Sequence, residues 1–219
     1  MARPSPMSKT TRASPAAERS EAAILAAARA LFLEAGYDGA NLDQVAQRAG
    51  VARQTVYNRF GGKEAMFRAM VEDHWRRFGR AEALGELRGD VLAGDLRAAL
   101  RRIAQALLAF LDGSDQIAFT RLVIAESRRL PWVAETFYRL GKDPAVGSFA
   151  HKLEMLQAAG VVACPDTRLA ARQFLGLIQE FVLWPQVMAT GEREAPDRER
   201  VVAEAIEMFV ARYGTDAAR

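Results

Sequence analysis

Apolar residues return along most of this chain at spacings of three and four, the period of helices buried on one side. Ile24, Ala28, Leu31, Phe32 and Ala35 make the first stripe. Ser14 as N-cap and Pro15 as first helical residue open it, and Gly36 ends it. A shorter stripe follows in Leu42, Val45, Ala46 and Ala49. Asn41 and Gln44 have the form of a capping box before it, and Gly50 offers the positive φ of a tight turn after it. Between Val51 and Phe60 only Val51, Val56 and Phe60 have buried character. Arg53, Gln54, Thr55, Tyr57, Asn58 and Arg59 are left pointing outward. Gly61-Gly62 break the chain, and Lys63 opens a helix whose Met66, Phe67, Met70 and Trp75 continue the apolar stripe.

Gly79, Gly85, Gly89 and Gly94 then punctuate twenty residues, which places a domain boundary there. Beyond it the pattern is helical throughout. Leu96, Leu100, Ile103, Leu107 and Leu111 predict an amphipathic helix capped by Asp95 and stopped at Gly113. Gln116–Leu130, Pro131–Leu140 and a helix from Asp143-Pro144 to Gly160 follow. A long helix is expected from Asp166 to about Gly191, kinked at Pro185. The last spans Pro196–Tyr213 and closes at Gly214. No strand pattern and no repeat is found. The expected fold is all-α: a disordered basic arm over 1–13, a three-helix helix-turn-helix domain over 14–78, and a helical bundle over 79–219.

Two helices, a glycine turn and an outer face of Arg, Gln, Thr, Tyr and Asn suit hydrogen bonding to base edges and phosphates. They read as a helix-turn-helix, against the plainer alternative of a polar surface hairpin. Residues 16–75 resemble the DNA-binding domain of the tetracycline-repressor (TetR/AcrR) family. The resemblance is carried by Leu31-Phe32-x-x-Ala35-Gly36-Tyr37, Val45-Ala46-x-x-Ala49-Gly50-Val51, Thr55-Val56-Tyr57-x-x-Phe60 and Lys63-Glu64-x-x-Phe67. It implies DNA contacts from Asn41, Arg53, Gln54, Thr55, Tyr57, Asn58 and Lys63. Of these, Arg53, Gln54, Thr55 and Asn58 are assigned to base edges, and Tyr57 and Lys63 to phosphates. Lys63 suits a phosphate because a helix N-terminus presents free N–H groups. The chain departs from the pattern at Ala40 and Ala52, where the family usually has Ser or Thr. Ala52 leaves the recognition helix without a side-chain cap, a loss of about 1 kcal/mol. The stretch TRLVIAESRRLPWVAETFYRLG resembles the AefR-like subgroup of effector domains.

Charge supports that division. Residues 1–80 carry 13 Lys/Arg against 8 Asp/Glu, and the remainder 17 against 19, so the basic excess sits where DNA is expected. Met1–Arg12 holds Arg3, Lys9 and Arg12 but no apolar core for a signal peptide. No apolar run is long enough to span a membrane. The one cysteine, Cys164, has no partner for a disulfide, and a reducing cytoplasm fits best.

The long helix near residue 180 is apolar almost all round, so both its sides must be covered. A partner subunit is the simplest cover. Phe174, Ile178, Phe181 and Trp184, with Val202, Ile206 and Phe209 of the last helix, are the expected dimer interface. Phe110, Phe119, Trp132, Phe149 and Met155, with Glu126 and His151 as polar groups, are the expected lining of an apolar ligand pocket. His151 and Glu154 have the spacing of half a di-iron site, but no matching second half exists. There is no phosphate loop, dinucleotide fingerprint, paired-cysteine zinc spacing or nucleophile elbow. No catalytic residue, metal or cofactor is therefore expected. The reading is a homodimeric DNA-binding regulator, most simply a repressor of a near-palindromic operator released by a small apolar ligand. The alternatives are a helical interaction module and, behind it, a di-iron enzyme.

Overall fold

The computed structural model describes residues 15–78, 95–113, 115–188 and 197–216. Helices α1 (Pro15–Gly39), α2 (Leu42–Ala49), α3 (Arg53–Phe60) and α4 (Lys63–Phe78) come first. Then follow α5 (Leu96–Gly113), α6 (Gln116–Glu126), α7 (Pro131–Phe137), a π-turn (Tyr138–Lys142) and α8 (Asp143–Ala158). The chain closes with α9 (Thr167–Val182), α10 (Trp184–Val187) and α11 (Arg198–Tyr213). No strand is formed among the described residues; a single antiparallel bridge joins Val162 to Gly214. The expected basic arm, Ser14 and the glycine-punctuated stretch lie outside the described residues. The chain divides into compact units Met1–Met70 and Val71–Arg219. The division thus falls inside α4, eight residues before the expected boundary, because the apolar stripe of α4 changes partners along its length.

In the first unit, Ile24, Ala28 and Phe32 of α1 pack with Val45, Val56, Met66 and Phe67, all almost fully buried. Phe32 and Tyr37 both contact the Phe67 ring, at 4.8 and 5.1 Å between centroids. Gly36 has φ 70 and breaks α1 where the sequence predicts its end.

In the second unit, Leu100 and Ile103 of α5, Phe149 and Leu153 of α8, Phe174 and Ile178 of α9, and Ile206 and Phe209 of α11 share one core. Ion pairs Arg97–Glu207 and Arg198–Asp112 tie α5 to α11 across their exposed edges. Asp166 and Asp197 cap α9 and α11 by accepting from Leu169 N and Arg200 N. Cys164 is buried, and burial pushes its thiol pKa up, which makes it unreactive.

Two segments differ from the expected pattern. The helix from Pro131 does not stop at Leu140 but runs on through the π-turn into α8. Pro144 lacks the N–H that Leu140 O would receive, and the wider turn, with Asp143 N donating to Tyr138 O, absorbs that loss. The long helix is broken rather than kinked: α9 ends at Val182, and Pro185 lies in the first turn of the short α10.

Candidate nucleic-acid interface

The turn between α2 and α3 is set by local chemistry. Asn41 Oδ1 accepts from Gln44 N at 2.9 Å, and Asn41 N donates to Gln44 Oε1 at 3.3 Å. Both halves of the capping box are present. At the other end Gly50 is left-handed, with φ 66 and ψ 31. Gly50 N donates to Gln47 O and Val51 N to Ala46 O, a Schellman closure. Two residues later α3 begins at Arg53. Ala52 provides no side-chain cap, so that N-terminus rests on backbone alone.

Only Val56 of α3 is fully buried, and it anchors the helix to the unit's core. Arg53, Gln54, Thr55 and Asn58 are exposed, and Tyr57 is half-buried. The four exposed polar side chains therefore share the outer surface of one short helix, the arrangement a major-groove reader needs. Two ion pairs hold this surface in place. Arg48 of α2 makes a forked pair with Glu34 of α1, and Arg59 of α3 pairs with Glu21 of α1. Both arginines are thereby committed to the scaffold.

The reading surface is itself internally paired. Arg53 Nε lies 2.7 Å from Asp43 Oδ1, and its guanidinium stands 5.2 Å from the centre of the Tyr57 ring. The Tyr57 hydroxyl, then Asp43, raise the Arg53 pKa. Gln54 Nε2 donates to Asn58 Oδ1 at 2.6 Å. At the start of α4, Lys63 Nζ donates to Asp38 O at 3.0 Å and sits 4.8 Å from the centre of the Tyr37 ring. That places an ammonium group at a helix N-terminus beside the α1–α2 connection. Asn41 is exposed, with its amide oxygen committed to the cap.

Sequence reasoning missed Asp43. It sits in the first turn of α2, where an acid is usual, and nothing local marks it as a partner of Arg53 ten residues on. Only the tight Gly50 turn brings the two N-termini together.

The expected ligand-pocket residues do not converge. Phe119 belongs to an aromatic group with His74 (centroids 3.7 Å apart, planes 13° apart), Trp75 and Phe137. Phe110 reaches the same Trp75 ring at 6.4 Å. Phe149 instead packs on Phe174 and Phe209 in the main core. Trp132 is half-buried, and buried Glu126 is paired with Arg129 at 2.6 Å. Met155 is exposed. His151 is also exposed, 3.3 Å from Glu154 on the outer face of α8, so it lines no interior cavity. Its i, i+3 pairing with Glu154 satisfies it at the surface. A buried polar chain not foreseen from sequence runs from His74 Nε2 to Gln116 Oε1 at 3.0 Å, and from Gln116 Nε2 to Thr120 Oγ1 at 2.9 Å.

The expected dimer stripe is corrected likewise. Phe174, Ile178, Val202, Ile206 and Phe209 are turned into the subunit's own core, and all are buried. The most regular stripe of each helix is the one its own domain consumes. The surplus faces outward: Phe181 is 52% exposed, Trp184 38%, Met188 64% and Met208 56%. Leu177, half-buried, precedes Phe181 by one turn.

Among the described residues no group of three or more His, Cys, Asp or Glu side chains is placed to hold a metal. No described helix is long and apolar enough to cross a membrane. Residues 24–70 match the model for bacterial regulatory proteins of the tetR family. Residues 98–215 match the C-terminal domain of AefR-like transcriptional repressors. An uncharacterized HTH-type transcriptional regulator of Mycobacterium tuberculosis is 31% identical over 161 residues, covering 73% of this chain and 78% of its own. A solved structure assigned as a TetR-family transcriptional regulator of Mesorhizobium loti superposes with a TM-score of 0.82 at 26% identity, covering 93% of this chain and all of the other. The flavonoid-responsive regulator FrrA superposes with a TM-score of 0.72 at 29% identity, covering 91% and 99% of the two chains.

Proposed function

Because the chain belongs to the tetR family of bacterial DNA-binding transcriptional regulators, we propose that it is a homodimeric repressor that a small apolar ligand releases from a near-palindromic operator. The observation that carries this reading is the capped α2–turn–α3 unit, with Arg53, Gln54, Thr55 and Asn58 on one exposed helix surface. In the proposed complex those four side chains reach base edges. Asn41, Tyr57 and Lys63 hold the flanking backbone. The protein works in the cytoplasm, where the chromosome is, and it carries out no catalysis of its own.

A single short recognition helix reads few base pairs, so a second copy is needed for affinity and specificity. The outward apolar side chains Phe181 and Trp184, Leu177 one turn before them, and Met208 of α11 are the proposed self-association surface. Helices α9 and α11, which carry Leu177, Phe181 and Met208, pack on each other, and Trp184 opens α10. Paired with their copies, they form a four-helix contact about a two-fold axis.

Ligand response is supported by the likeness to the flavonoid-responsive regulator FrrA. The aromatic group around Trp75 and Phe119 supplies apolar surface for such a molecule. Helix α4 contributes residues to both units and is the proposed coupling element. A ligand shifts the DNA-competent population only by its differential affinity for the two states, typically about 1–3 kcal/mol.

Sequencing the genomic fragments retained by the purified protein tests the proposal. The expected result is a near-palindromic site whose half-sites lie roughly 34–36 Å apart or a multiple of that. Retention without any sequence preference would remove the repressor reading.

A further inference from the structure

Lys152 of α8 is only 8% exposed, and among the described residues its Nζ has no hydrogen-bond partner. Among the described residues no carboxylate pairs with it. Burial alone holds its pKa below the usual lysine range. A solitary amine removed from water is costly whether charged or neutral, so a group that none of the described residues supplies is needed to satisfy it.

The helix face that carries Lys152 has a second such group near its other end. Trp75 is buried, and among the described residues its Nε1 also has no partner. Its ring packs closely on the π-turn: a Cβ placed on Gly141 would fall 2.5 Å from two of the ring carbons. Within α8, positions 145, 148 and 152 follow at spacings of three and four, so they share one helix face, and Gly141 lies in the wider turn just before it. Those positions between the two ends carry Ala145 and Ser148, small and half-buried. The helical stretch from Ala145 to Lys152 spans about 10 Å. Around Trp75 the walls are aromatic, with Phe137 at 5.3 Å, Phe119 at 5.6 Å and Phe110 at 6.4 Å between centroids.

We propose that Lys152 is the anion-binding end of the effector site, taking the carboxylate of an elongated, otherwise apolar acid whose body lies along Ala145 and Ser148 toward Trp75. The inference rests on the ligand-responsive reading above and names the class of ligand. A carboxylate satisfies the buried amine with a charge-assisted hydrogen bond, and the small, half-buried Ala145 and Ser148 put little side-chain bulk between it and the Trp75 end. The Trp75 indole N–H is a second donor for a polar group on the far end.

Calorimetric titration of the full-length protein with matched acids and alcohols tests it: octanoate with octanol, decanoate with decanol, naphthoate with naphthol. In at least one pair the acid should bind about ten- to a hundredfold tighter, the worth of a hydrogen bond to a charged group. Lys152→Met should abolish that preference and leave alcohol binding as it was. Lys152→Gln serves the same purpose if the methionine variant fails to fold by circular dichroism. No preference for the acid in any pair, or a preference that survives both substitutions, overturns the proposal. Retention of genomic DNA is measured separately. A protein that prefers the acid but retains no DNA leaves the Lys152 site standing and removes the repressor reading.

Discussion

Arg53 and Asp43 meet at 2.7 Å across the turn that joins α2 to α3, on the surface where DNA is expected. The pair is exposed on both sides, so it contributes little to folding. Its effect is on recognition. Asp43 orients Arg53 toward α2 and adds a negative charge beside a polyanion. Asp43→Asn should tighten binding to operator and unrelated DNA alike, by about two- to fivefold, the scale of one exposed ion pair. Fluorescence anisotropy on both duplexes checks this. Weaker operator binding in the variant would show that Asp43 instead presents Arg53 to its base.

Lys63 separates backbone contacts from base contacts. Its ammonium group is positioned by Asp38 O and the Tyr37 ring, not by an acid, so its charge remains available to a phosphate. Lys63→Ala should weaken all sequences alike and flatten the slope of log affinity against log salt by about one unit. An unchanged slope would assign Lys63 to holding the α1–α2 connection instead. Asn58→Ala and Gln54→Ala should behave differently, relaxing specificity at single positions at a cost of about 1–3 kcal/mol each. Their 2.6 Å hydrogen bond makes those two effects non-additive.

What was legible in the sequence was local. The capping box of Asn41 and Gln44, the Gly50 turn, and the Asp95 and Asp166 helix starts depend on residues within four positions of each other, and all are present. The outward row on α3 was legible because only Val51, Val56 and Phe60 of that stretch have buried character, and the structure fully buries Val56 alone of α3. What required the structure was long-range. Periodicity shows that α9 has two apolar sides but not which one its own domain takes. Residue type alone makes His151 resemble a pocket ligand, yet its position on α8 puts it outside. The π-turn at Tyr138–Lys142 follows from the joint demands of Pro144 and the Trp75 ring on Gly141, which no window of sequence contains.

The division of α9 and α11 into inner and outer stripes separates folding from association. Phe209 is buried among Phe149, Phe174 and Tyr213. Phe209→Ala should therefore destabilise the fold by about 3–5 kcal/mol. Phe181→Glu places a charge on the outer stripe and should leave a folded subunit that no longer self-associates. Light scattering with circular dichroism distinguishes the two. A folded Phe181→Glu variant with the wild-type mass would exclude this surface as the dimer contact.

Lys152 also makes a prediction about pH that needs no ligand. Its folded-state pKa lies below the unfolded value of 10.5, and desolvation is the cause. At pH values below both, native and unfolded chains hold the proton equally, and the native state bears the full cost of a buried charge. Between the lowered pKa and 10.5 the unfolded chain binds the proton that the native chain has released, so stability rises with pH. Above that window the cost is gone. Lys152→Met has nearly the same length and no charge, so it should be more stable than the wild type at low pH. That advantage should shrink as pH rises through the window. Subtracting the two denaturation curves cancels every other titrating group. A difference that stays constant up to pH 10.5 would mean that the amine reaches water in both states.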